Sequence, residues 1–89
     1  MNNMTPHTAL GPTRFVRLRA IVMLVRSGAI TLGGNGPGRI YGRLDCRAGK
    51  RMKPANRVFF HDEDEAVAQG FRPCAKCLPT EYIAWRESC

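Results

Sequence analysis

The strongest constraint on this 89-residue chain is the placement of its cysteines. Cys74 and Cys77 bracket Ala75-Lys76 in a C-x-x-C run, and Cys46 lies 28 residues upstream. Two thiolates three residues apart on a tight turn both reach one tetrahedral ion, with Zn–S near ~2.3 Å. The spacing also fits a thioredoxin-like redox motif, but that motif needs a βαβ setting, which this short chain lacks. A metal site needs further ligands, and Cys46 is available as the third. At this length one small domain is expected, with a core modest enough that a metal or disulfides commonly support it. The longest unbroken apolar run is six residues, Ala20 to Val25. A transmembrane helix needs about 20, and a secretory signal has a longer apolar centre not followed by an arginine such as Arg26. The expectation is therefore a cytoplasmic chain with reduced thiols and no membrane partner.

The charge is divided unevenly. The net charge is +7, yet residues 1–61 carry +10, with Asp45 as their one acid, and residues 62–89 carry −3. The densest stretch, Arg39 to Arg57, holds seven basic residues. Such a block favours a polyanion, with nucleic acid the first candidate, through phosphate contacts that give affinity without reading sequence.

Along the chain, residues 1–12 are polar, contain Pro6 and Pro12 and lack periodicity, which predicts a loose lead-in with a solvated His7. Residues 13–89 read as a single domain. Residues 13–27 predict a helix capped by Thr13 and ended by Ser27-Gly28. Phe15, Leu18, Val22 and Val25 form one apolar stripe, and Val16, Ala20, Met23 and Leu24 a second side. Such a helix is either buried in the core or shared with a partner, and the core is expected. Ile30–Leu32 predicts a short strand, Gly33 to Gly38 a turn, and Arg39–Tyr41 the return strand. No G-x-x-x-x-G-K-[S/T] phosphate loop is present. Residues 42–56 read as an ordered loop. Asn56–Phe60 predicts the clearest strand. Asp62 with Glu65 forms a capping-box-like helix start, and Gly70 ends that helix. Thr80 is expected to cap a last helix that returns Tyr82, Ile83 and Trp85 to the core.

The stretch Ile40 to Pro79 resembles the zinc domain of the Ada-type DNA-repair regulators. The matching pieces are Ile40-Tyr41, Cys46-Arg47, NRVFF at 56–60, the acidic helix start, and GFRPCAKCLP at 70–79. Helix 13–27 lies outside the match. The resemblance implies an α+β fold, a short antiparallel β-sheet with two or three helices around a cysteine metal site, and one zinc ion. It also implies a DNA partner and a link to DNA repair or transcription regulation. In that family four cysteines hold the zinc. The first, four residues before the second, takes a methyl group from a methylated DNA phosphate. Here that position is Gly42, which can neither ligate nor accept a methyl, so no enzyme activity is expected. Cys46, Cys74 and Cys77 match the other three.

For the fourth ligand the sequence offers His61, Cys89 or an open position filled by water or an exogenous group. A chain that holds no stable metal is a further alternative. The basic residues expected to face DNA are Arg39, Arg43, Arg47, Lys50, Arg51 and Lys53, acting mainly on the phosphate backbone. The alternative is an interaction or regulatory module whose helix 13–27 docks a protein partner. A weaker third reading has one of the three matched cysteines accept a methyl group or electrons.

Overall fold

A computed structural model describes residues 4–47 and 52–88. The first described residues are not a loose lead-in. Thr5–Pro6 form an edge strand, β1, followed by a 3-10 turn, His7–Leu10. Helix α1 spans Arg14–Arg26; Thr13 Oγ1 accepts the Val16 N–H, as expected of the cap. Gly28, at φ 78°, takes the left-handed conformation that ends it.

Strands β2 (Leu32–Asn35) and β3 (Ile40–Arg43) make a hairpin, and β4 (Arg57–Phe60) lies on the other side of β2. Helix α2 (Glu63–Ala68), strand β5 (Arg72–Pro73) and helix α3 (Pro79–Ser88) complete the chain. The sheet order is β1-β4-β2-β3-β5, antiparallel except for the β3–β5 pair, which is parallel. The α+β class stands, with a mixed sheet in place of a purely antiparallel one.

The central strand runs through Gly33-Gly34, which the sequence reads as a turn. Pairing on both sides overrides the poor strand propensity of glycine. At position 34 a Cβ would lie 2.9 Å from the Ile40 carbonyl oxygen and 3.0 Å from Phe60 Cε2, so the close approach of the strands requires glycine there. The turn itself falls at residues 36–39.

Alternation divides the sheet into two faces. On one face Tyr41, Val58 and Phe60 pack with Ala66 and Phe71 into the core, joined by Met4, Leu32 and Leu78. Phe60 and Phe71 meet edge to face at 4.9 Å. On the other face Phe59 and Gly42 both pair with Gly33. That second face carries the site.

Two helices depart from expectation. No residue of α1 is buried, and Phe15 is 72% and Met23 63% exposed, so the apolar sides predicted for the core stand outside it. The helix packs chiefly against the 3-10 turn. Helix α3 presents Tyr82 and Trp85 to the Arg72 guanidinium, at 5.3 and 5.7 Å, while Ile83 and Trp85 remain exposed. Among the described residues no helix is long and apolar enough to cross a membrane.

Candidate metal centre

Parallel pairing of Tyr41 with Pro73 carries Cys74 alongside Gly42, and the Cys74 N–H donates to the Tyr41 carbonyl at 2.8 Å. The turn after β3 closes through the Cys46 N–H on the Arg43 carbonyl at 3.1 Å, which brings Cys46 back beside its own strand. Cys46 Sγ lies 3.9 Å from Cys74 Sγ, and all three sulfurs of Cys46, Cys74 and Cys77 fall within 4.8 Å of one another. Tetrahedral zinc at ~2.3 Å from each sulfur needs S···S spacings of ~3.8 Å. The donors and their spacing therefore fit one zinc ion.

The surroundings prepare the thiols unequally. Burial resists ionisation of Cys74, but backbone N–H groups of Cys77 and Lys76 and the thiols of Cys77 and Cys46 outweigh it and hold its pKa below the usual thiol value. Burial pushes Cys77 up to about 11, with the nearby Cys46 and Cys74 adding to the rise and the Arg43 N–H offsetting part of it. That N–H donates to Cys77 Sγ at 3.3 Å. Metal binding is coupled to the loss of thiol protons, and it opposes the rise at Cys77.

The fourth position receives no protein ligand among the described residues. His61 does not join the cluster. Its Nδ1 sits 3.0 Å from the Ala29 carbonyl and its backbone N–H donates to Glu65 Oε1, so it closes the start of α2 instead. Cys89, Lys50 and Arg51 lie outside the described residues. At Gly42 a side chain would point straight into the triad.

The basic residues divide into two groups. Arg39 belongs to the fold: it sits at φ 55°, its Nη1 donates to the Gln69 carbonyl at 3.0 Å, and its guanidinium covers the Phe71 ring. Arg43, Arg47 and Lys76 line a concavity of about 420 Å³ with Asp45, Cys46 and Cys77. Arg43 pairs there with Asp45 at 3.0 Å. Lys53 is exposed beyond this rim. Lys76 was not among the residues expected to face DNA; its place inside the C-x-x-C turn was the signal, since a residue between two ligands lies at the metal.

A small α+β sheet carrying three converging thiols at one edge defines a metal-binding module. The chain belongs to the family of the metal-binding domain of Ada, which it matches over residues 32–80. No curated protein and no solved structure gives a significant match.

Proposed function

We propose that this zinc module binds DNA through its phosphate backbone and does not transfer methyl groups. The observation that carries the reading is the shared concavity, where Arg43, Arg47 and Lys76 stand against one acid, Asp45, beside two of the zinc thiols. Cys46, Cys74 and Cys77 would hold the ion, which supplies a cross-link between the turn after β3 and the turn before α3. That link fixes the cationic side chains on one face. Contacts of this kind position a protein on a duplex without reading bases. Gly42 offers no nucleophile where the family's methyl acceptor stands. A role in DNA repair or transcription regulation, and a cytoplasmic location, follow the family resemblance.

Fluorescence anisotropy with a short duplex at several salt concentrations tests this. Binding should be weak, tolerant of sequence and steeply salt-dependent, with about 0.9 of log–log slope per phosphate contact. Arg47→Ala with Lys76→Ala should flatten the slope by up to ~2. An unchanged slope, or no binding at low salt, overturns the reading.

One observation favours a second reading. The exposed Phe15, Leu18, Val22 and Met23 of α1 suit a protein partner, and undiminished partner capture after Phe15→Ser with Met23→Gln would exclude it.

A further inference from the structure

Zinc in a closed site takes four ligands in a tetrahedron, and Cys46, Cys74 and Cys77 supply three. The described residues bring no fourth donor to the cluster. His61 Nδ1 is engaged with the Ala29 carbonyl. Position 42, which lies against Cys74 and Cys77, has no side chain. Helix α3 carries the chain ~15 Å onward between Pro79 and Ser88.

The surroundings define the charge of a suitable fourth ligand. A zinc dication held by three thiolates carries one net negative charge, and a fourth thiolate makes it two. The concavity that Cys46 and Cys77 line also gathers Arg43, Arg47 and Lys76 against Asp45, two positive charges in excess. Arg43 is paired with Asp45, so the excess rests on Arg47 and Lys76. The Arg43 N–H, donating to Cys77 Sγ, draws further charge from the sulfur. Such a field favours a negatively charged ligand over a neutral one. At about 420 Å³ the concavity also has the size of a small-molecule pocket.

We infer that Gly42, by leaving the triad one donor short, opens the zinc centre to a small anionic thiol, and that Arg47 and Lys76 select it by charge. A fourth sulfur completes the all-thiolate set that zinc takes in closed sites. The anionic end of the same molecule meets the guanidinium and the ammonium through charge-assisted hydrogen bonds. The thiol binds as its thiolate: the S–H bond breaks, the proton passes to the solvent, and a sulfur lone pair forms the bond to the metal. No electron is gained or lost. The inference rests on the zinc centre and not on DNA binding, although thiol and duplex would meet at the same concavity.

Cobalt(II) loaded in place of zinc gives the readout, because sulfur-to-cobalt charge-transfer absorbance grows with the number of bound thiolates. Mercaptoethanesulfonate, an anionic thiol, should raise that absorbance by about a third, from three sulfurs to four. Thiocholine, of the same length but with a cation at the other end, should need about tenfold more to reach half its effect. Arg47→Gln with Lys76→Gln should remove this preference. Cys89→Ser should start from the parent's spectrum and respond as the parent does. The inference is overturned by no rise with mercaptoethanesulfonate, by equal midpoints for the two thiols, by a preference that survives the double substitution, or by a starting band that Cys89→Ser lowers. Anisotropy with a short duplex, run alongside, separates the two readings. A thiol response without duplex binding removes the DNA reading alone, and duplex binding without a thiol response removes this inference alone.

Discussion

A Cβ at position 42 would lie 2.7 Å from Cys77 Sγ and 3.2 Å from Cys74 Cβ. Glycine there does more than withhold a ligand: Cys77 Sγ occupies the space a side chain would need. Without metal, Gly42→Ala and Gly42→Cys should both destabilise, by about 1–3 kcal/mol of overpacking. Added zinc should return more stability to the cysteine variant than to the alanine one, because only the new thiol adds a fourth ligand to the triad. Melting curves with chelator and with zinc check this; two variants that melt like the parent in chelator would show that Cys77 does not crowd the position. The cysteine triad was legible because its ligand spacing is local at one end and matched by a single distant partner. The burial of His7, whose ring rests on Phe59, was not, since it depends on a partner more than fifty residues away, and no pattern around residue 7 announces it.

At the scale of elements, helices were legible where their ends carry caps. Thr13 caps α1 and Asp62 caps α2, with the Glu65 N–H on Asp62 Oδ1 at 2.8 Å. Their destinations were not legible. Periodicity marks an apolar side without saying what covers it, and α1 keeps that side outside the core. Phe15→Ser with Met23→Gln should accordingly shift stability by about 0.5 kcal/mol or less per site, against the 3–5 kcal/mol typical of core truncation of a phenylalanine. A large drop in melting temperature would put the helix back in the core. Helix α3 makes the opposite case. Arg72 lies between Tyr82 and Trp85, and Arg86 covers Tyr82 from 5.7 Å. Each such contact contributes ~0.5–2 kcal/mol. Arg72→Ala should loosen α3 from the sheet edge. The single tryptophan, Trp85, reports this directly as a red shift in fluorescence before global unfolding; an unshifted spectrum would count against the docking.

For the whole molecule, the sheet is secured differently at its two edges. At the β5 edge the parallel pair is only two residues long, and the thiol cluster beside it is the stronger fastening. Zinc binding is coupled to folding in small domains, and its free energy adds to stability. Chelator should lower the melting temperature, Cys74→Ser should release the metal and melt near the chelated value, and both effects should shrink as the pH falls, because protons then compete with zinc for the thiolates. A melt indifferent to chelator would remove zinc from the fold's support. At the opposite edge β1 covers β4, with Thr5 paired to Phe59 and Pro6 to Val58. Pro6 brings a residue without an N–H to that outer rim, which blunts it. The family match begins at Leu32 and so omits this guard strand. A version of the chain trimmed to residues 32–88 would expose β4's unused amides and carbonyls beside the uncovered ring of Phe59, a template for a neighbouring copy to zip onto. It should elute as dimers or larger species in gel filtration where the full chain does not, with β1, Thr5–Pro6, acting as a lock against self-association.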